Sequence, residues 1–506
     1  MASSAHPSSS SSDPTIHVLT LNCWGLKYIS THRHARLVEI GNRIASASPQ
    51  PSLVCLQECW TQQDYQAIRA ATSHILPHGK FYFSGIFGGG LAILSAWPIV
   101  ESSMYRYPLN GLPAAFYRGD WFVGKGVACA RIEMPADIFG QGKSRILEVF
   151  NTHLHAPYKP EPLDTYVCHR TAQAWEIAKL MRHAVERGHF VLGCGDFNMR
   201  PASLAHQLIE THSGVKDVWR VLHPDSSLGS ANDQVERERG RKVPNAGFNV
   251  TENGATCDSV LNTWRWNKGQ QKRLDKGEDI TVALDTEDPG AKRLDYIFFG
   301  GGGERDDERA WSVEAANVGM MERHPELKCS LSDHFSVEAT FRLSTRPADT
   351  PMASSTPYGA VLPPATYTTI ADMIAKYTSR EAKQRRIRVS HFFAQFAISI
   401  GCLVGVWWTP NYASFILMLV STLGLSAGVI DGLMGFLFVN SEIRALKEFN
   451  WEIDAAKQRA VLVEAGKGAQ EETLEVGKTG AGGHTQGAVG EPEAMREDNG
   501  KMEMVV

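Results

Sequence analysis

The sequence shows little excess of charge. Its 506 residues carry 51 Lys and Arg against 55 Asp and Glu, a formal net charge of −4. A dedicated nucleic-acid binder is excluded on that ground, because phosphate neutralisation needs a strongly basic domain. No Walker A lysine loop or His-Glu-x-x-His helix occurs, which removes two common catalytic scaffolds. Cysteine is present but unorganised. The nine residues are scattered and odd in number, and several are set in apolar runs, so they read as reduced, cytosol-facing hydrophobes and not as a disulfide framework. The pair in CLQEC (Cys55 and Cys59) has no second pair to complete a zinc site. The N-terminal MASSAHPSSSSSDP has neither a basic nor an apolar stretch. It therefore reads as a disordered Ser-rich segment over 1–14, not a signal peptide.

Between residues 15 and 345, short apolar runs alternate with helical stretches. IHVLTLN, SLVCLQE, LAILSAW, VACARIE, ILEVFNTHL, FVLGCGDF, LDYIFF and FSVEATFRL read as strands. The spacing of Ala174, Ile177, Ala178, Met181, Ala184 and Val185 predicts a helix ended near Gly188. Many strands with few helices between them imply sheet packed on sheet with helices outside, an α+β architecture. Residues 223–292 interrupt the pattern as polar, charged excursions, expected as surface loops near the functional edge. Asn249-Val250-Thr251 is a glycosylation sequon that a cytosolic domain leaves unused.

The composition changes after Thr345. A Pro/Ser/Thr linker is expected over 346–369, then a basic segment over 370–390 with Lys376, Arg380, Lys383, Arg385, Arg386 and Arg388. Two apolar runs follow within 391–440, separated by TPNY and flanked by Trp407 and Trp408. Each reaches roughly the 17–25 residues that cross a bilayer. The short turn makes them a hairpin, and the basic run places both flanks on the cytosolic side. Asp431 is costly in mid-bilayer, so it is expected near the span's end or against the partner helix. The basic run over 376–388 also suits an anionic phospholipid surface. The tail over 441–506 is expected to be mostly disordered and cytosolic.

Polar residues terminate the strand-like runs. Asn22 ends the first, Glu58 the second, and Asn151 with His153 follow LEVF. Asp196 and Asn198 lie in GDFN, Asp295 in RLDYIFF, and Asp333 with His334 in LSDHF. Singly, each has an ordinary structural use as a cap, an ion-pair partner or a strand-end histidine. Together they supply oxygen ligands suited to Mg²⁺ and histidines suited to proton transfer, a set for phosphoester hydrolysis.

This set resembles the DNase I-like endonuclease/exonuclease/phosphatase superfamily. LNCWGL, QECW, NTHLHA, GDFN, LDYIF and SDHF stand in the family order. LNCWGL, HLHAPY, SGIFGGGLAILSAWPI and GDWFVGKGVACARI are most similar to the neutral sphingomyelinases. The hairpin after the catalytic region resembles that of the fungal inositol phosphosphingolipid phospholipases C, to which the low-complexity Ser runs and charged insertions lean, and that of one animal neutral sphingomyelinase. The resemblance implies a four-layer α/β/β/α sandwich over 15–345. It implies Mg²⁺ held by Glu58 with Asn22 and Asp333, and His334 as general base oriented by Asp295. Asp196 and Asn198 would position water and phosphate, with Asn151 beside the substrate, and His153 would donate to the phosphate or leaving oxygen. Asp120 and Lys125 would form a regulatory pair responsive to anionic lipid. The implied activity is a membrane-anchored phospholipase C that cleaves phosphosphingolipids, at the endoplasmic reticulum or the mitochondrial outer membrane. An inositol polyphosphate 5-phosphatase is the main alternative, but RLDYIFF replaces that family's Trp-Cys-Asp-Arg block. An abasic-site endonuclease lacks its basic surface here. A catalytically inactive lipid tether would be expected to have lost one of Glu58, Asp196 or His334.

Overall fold

The computed structural model describes residues 13–135, 138, 145–159, 163–302, 309–345 and 360–479. The Ser-rich start, most of the Pro/Ser/Thr linker and the end of the tail lie outside these residues.

The strands run in chain order as β1 (Thr15–Asn22), β2 (Leu53–Gln57), β3 (His78–Tyr82), β4 (Leu91–Ser95), β5 (Ile99–Arg106) and β6 (Gly126–Met134). They continue as β7 (Arg145–His153), β8 (Phe190–Asp196), β9 (Lys216–Asp217), β10 (Asp295–Gly301), β11 (Arg309–Gly319) and β12 (Ser336–Thr345). Two six-stranded sheets result, ordered β11-β12-β1-β2-β4-β3 and β5-β6-β7-β8-β10-β9. Alternation within the strands sends one set of side chains between the sheets. Val18, Leu53 and Ile93 of the first meet Ala128, Val149, Leu192 and Ile297 of the second.

The opposite faces are covered by helices. On the first sheet, α1 (Arg33–Ala45) and α2 (Gln62–Thr72) bury Leu37, Ile40, Ile44 and Ile68 against Leu19, Val54 and Leu56. On the second, after the one-turn α3 (Asp120–Val123), α4 (Val167–Glu186) and α5 (Leu204–Ser213) bury Ala174, Ile177, Met181 and Ile209 against Phe150, Val191 and Phe298. The four-layer α/β/β/α sandwich is thus observed. The helix expected around Ala174–Val185 extends further back, to Val167, because Cys168, Ala172 and Trp175 also find apolar partners.

Those partners are C-terminal. Helix α6 (Pro364–Gly405) is followed by α7 (Asn411–Leu433), a π-helical segment (Met434–Phe438) and α8 (Val439–Thr479). The basic segment is the middle of α6, not a separate element. The tail over 441–506, expected to be disordered beyond about Gly466, begins as α8. The reason is apolar spacing by alternating threes and fours in both helices: Tyr367, Ile370, Ile374 and Tyr377 on α6, Leu446, Phe449 and Ile453 on α8. These stripes pack on each other and on Cys168, Ala172 and Trp175 of α4.

Beyond this docked part, α6 and α7 form an apolar pair long enough to cross a bilayer, with little of either apolar stretch buried. Asp431 faces the partner helix as expected: His391 Nδ1 lies 2.8 Å from one oxygen and Arg388 binds the other. Gly428 and Gly432 let α7 approach Gln395 and Phe392, where a Cβ would collide at 2.7 and 2.9 Å.

Candidate active site

Strand register brings the polar strand ends to one edge. In the second sheet, parallel β7–β8 pairs His153 with Asp196, and antiparallel β8–β10 pairs Asp196 with Asp295. In the first, parallel β1–β2 pairs Asn22 with Gln57, next to Glu58. Antiparallel β1–β12 pairing of Thr20 with Val337 returns Asp333 and His334 to the same end.

Close contact bridges the sheets. Asn22 Nδ2 donates to Glu58 Oε1 at 3.2 Å and to Asp196 Oδ2 at 3.0 Å. The backbone is forced here. Glu58, Asn198 and Trp24 have φ of 53°, 46° and 46° without being glycine. Such conformations cost of order 1–3 kcal/mol each and persist only where packing determines them. Gly195 of GDFN has a different reason for its identity, since a Cβ there would lie 2.0 Å from the Thr152 carbonyl oxygen.

His334 is buried, and its Nδ1 lies 2.8 Å from Asp295 Oδ2. Donation from Nδ1 leaves Nε2 as the basic nitrogen. Burial disfavours an imidazolium, but Cys257, Asp295, Asp196 and the hydrogen bond to Asp295 together raise His334 well above the ordinary histidine value. His153 is the reverse: burial, then the charges of Lys125 and His334, hold it far below that value. Its Nε2 lies 3.4 Å from Asp196 Oδ2. Burial and neighbouring Asp295 push Asp196 up to about 7, against His334 and the hydrogen bonds from Asn198 and Asn22.

The acids fit a cation. Glu58 Oε2 and Asp295 Oδ1 are both out of solvent contact and lack a hydrogen-bond partner. Burial and the charge of Asp333 raise Glu58, which is the signature of carboxylates short of positive charge. Asp196, Asp295 and His334 also present ligand atoms within 4.8 Å of one another, but His334 Nδ1 and Asp295 Oδ2 are already engaged with each other. The Glu58 end, with Asn22 and Asp333 nearby, is therefore the better seat.

Asn198 donates to Leu154 O at 3.1 Å and Asp196 Oδ2 at 3.2 Å, so it orients the loop after β8. Asn151 does not reach the cleft. Its amide accepts from Gln57 at 2.7 Å and donates to Leu56 O and Ala92 O at 3.0 Å, tying the two sheets together. Asp120 and Lys125 are buried, not an exposed pair. Lys125 donates to Leu154 O at 3.2 Å. Burial lowers it, while Asp120, Glu58 and Asp196 favour its ammonium. Asp120 accepts from Tyr158 Oη at 3.0 Å.

Two residues escaped the sequence reading. Thr256, in the excursion after β9, donates to Asp295 Oδ2 at 2.6 Å and is fully buried. Arg36, on α1, donates to Thr31 O, Cys23 O, Leu331 O and Trp24 O, and sits over the Trp24 and Trp264 rings. It clamps the Asn22 turn to the LSDHF loop. No motif marks either one; only the fold brings them in. The sequon residue Asn249 is buried and donates to Asp288 O at 2.8 Å.

Residues 19–334 match the model of the endonuclease/exonuclease/phosphatase family. The chain is 38% identical over 449 residues to inositol phosphosphingolipids phospholipase C of Schizosaccharomyces pombe, covering 88% of this chain and 95% of that protein. The Saccharomyces cerevisiae protein of the same name is 32% identical over 469 residues, covering 87% and 89%. Human sphingomyelin phosphodiesterase 2 is 36% identical over 222 residues, covering 44% and 50%. The chain therefore belongs to the endonuclease/exonuclease/phosphatase family, in the branch that includes the inositol phosphosphingolipid phospholipases C and neutral sphingomyelinases.

Proposed function

We propose that this protein is a membrane-anchored, Mg²⁺-dependent phospholipase C that hydrolyses phosphosphingolipids to ceramide and a phosphorylated headgroup. The carrying observation is that similarity to the two yeast proteins extends over 88% and 87% of the chain, beyond the catalytic sandwich alone. The basic run and the apolar hairpin favour a cytosol-facing site on a membrane rich in anionic phospholipid. Lys125, with Asp120, is the pair through which such lipid would act.

In the reaction, water attacks phosphorus as the bond to the ceramide oxygen breaks. Glu58, with Asn22 and Asp333, would hold a Mg²⁺, which when bound would supply positive charge against that of the phosphate and favour the neutral, basic form of His334. His334 Nε2 takes the water proton while Asp295 keeps Nδ1 protonated and stabilises the imidazolium that forms. Neutral His153 donates a hydrogen bond through its one N–H to a phosphate or departing oxygen; the departing ceramide oxygen takes its proton from solvent, and His334 later loses the water proton to solvent. Asp196 and Asn198 hold the water and the loop. Lys125 offsets charge as it builds on the phosphate.

The test is headgroup release from inositol phosphoceramide and sphingomyelin in mixed micelles with Mg²⁺, with and without anionic phospholipid. Release is expected from at least one lipid, with a loss of roughly a hundredfold or more in His334→Ala. No release from either would overturn the reading and favour a phosphatase for soluble inositol phosphates.

A further inference from the structure

Exposed apolar side chains that the proposed chemistry does not use lie on loops leading to the site. Ile86, Phe87 and Tyr117 are 68%, 62% and 73% exposed. An isolated exposed apolar residue is ordinary, but a cluster beside a cleft marks an interaction surface. These residues come from adjoining segments. Ile86 N donates to Phe122 O at 2.8 Å, and the Phe87 and Phe122 rings lie 5.8 Å apart. Gly85 and Gly124 touch closely enough that a Cβ on either would clash at 2.5 Å. The same loop packs Gly90 on Glu58 and Trp60, and α3 leads directly into Lys125. The patch is therefore part of the cleft's rim.

Its occupant follows from its continuity with the hairpin. Trp121 of α3 meets Phe438 at 4.7 Å between ring centroids. Phe438 ends the π-helical segment, whose Gly435 packs on Val389 and Arg388 of α6. That is the level at which the basic run gives way to the apolar stretch, with Lys383, Arg385 and Arg386 exposed. A bilayer crossed by α6 and α7 has its headgroup layer at this height, directly against α3 and its neighbours.

We infer that the 83–88 loop and the 116–123 segment form a bilayer-docking surface. Ile86, Phe87 and Tyr117 enter the lipid interface, so the scissile phosphodiester reaches Glu58 and His334 without leaving the membrane. The inference rests on the membrane reading of the hairpin and deepens the proposed function, since it makes the substrate a lipid still seated in its leaflet. Aromatic and aliphatic groups suit this interface.

The test uses the full chain reconstituted in phosphatidylcholine vesicles containing phosphatidylserine. The native cysteines are buried or half-buried, so Phe87→Cys takes an environment-sensitive fluorophore at a new exposed thiol, with labelled wild type as background. Tyr117→Cys is the second probe. Val100→Cys, at the far end of β5 and 53% exposed, is the control. Spin-labelled lipids are expected to quench the probes at 87 and 117 and not the one at 100. Activity of the Ile86→Asp/Phe87→Asp variant on a bilayer-embedded phosphosphingolipid is expected to fall by about tenfold or more. Its activity on a short-chain, water-soluble analogue is expected to stay at the wild-type level. Absence of lipid quenching at 87 and 117 would overturn the inference. So would shielding from aqueous quencher without lipid quenching, which would indicate a protein partner or a second copy. Equal loss on both substrates would also overturn it. If wild type cleaves neither substrate, the proposed function fails, and the quenching result still decides the docking surface.

Discussion

Replacing Thr256 with Val should separate the geometry of the catalytic dyad from its chemistry. Thr256 Oγ1 donates to Asp295 Oδ2 at 2.6 Å, and His334 Nδ1 lies 2.8 Å from the same oxygen. The other oxygen, Oδ1, has no partner. Thr256→Val keeps the shape and removes one of two contacts that fix the carboxylate. A hydrogen bond to a charged group contributes about 1.5–3 kcal/mol. If that is felt mainly when His334 gains charge, kcat falls roughly ten- to a hundredfold. KM should change little, because Thr256 is fully buried behind Asp295. The variant also leaves Leu294 N without its acceptor, now at 3.2 Å, so the melting temperature should drop modestly. Thr256→Ser, which retains the hydroxyl, should restore most of the rate. Steady-state kinetics on micellar substrate check this. A kcat for Thr256→Val within about twofold of wild type would refute the reasoning, as would Val and Ser variants that behave alike.

Asp295→Asn should cost roughly a hundredfold or more in kcat with little change in KM, because the amide no longer stabilises a charged ring at His334. Arg36→Met should destabilise the fold by about 3 kcal/mol or more, since it strips partners from several buried carbonyls; a denaturant midpoint equal to wild type would contradict the clamp. Mg²⁺ should raise the melting temperature of the wild-type chain and chelator should reverse it. Glu58→Gln should abolish that response, and a retained response would move the cation elsewhere. His212 bonds Tyr367 of α6 at 2.9 Å, and burial, then the charges of Arg182 and Arg459, lower it to about 4. The folded chain refuses a proton that the unfolded chain accepts below the ordinary 6.5. Its contribution is complete above that pH and is lost as pH falls toward 4, about 3 kcal/mol in all. Urea unfolding of His212→Gln across this range should show a shallower pH dependence than wild type.

The sandwich was legible because its strands announce themselves. Runs such as VLTLN and FVLGCGD are apolar, short and closed by polar or glycine residues, and burial of those runs leaves no other packing. The polar ends were legible for the same reason, since register carries Asn22, Glu58, His153, Asp196 and Asp295 to one edge. Asn151 was misplaced by the same logic. It sits two residues before the edge, and period-2 alternation turns it between the sheets, where its amide joins Gln57 to Ala92. The burial of Asp120 and Lys125 could not be read from a polar turn flanked by Gly119 and Gly124; it follows from the loop folding inward under Tyr158. The helical tail was missed because charge and glycine masked the stripe of Leu446, Phe449 and Ile453. That stripe is only meaningful opposite Tyr367 and Ile374. Thr256 and Arg36 belong to the site through contacts more than 35 residues away in sequence, which no local pattern encodes.

The most direct test of the central claim is to run the reaction in water enriched in heavy oxygen and find where the label goes. Attack of water on phosphorus, with His334 as base, predicts one heavy oxygen in the phosphorylated headgroup and none in ceramide. Label in ceramide, or turnover that releases only inorganic phosphate, would contradict the account.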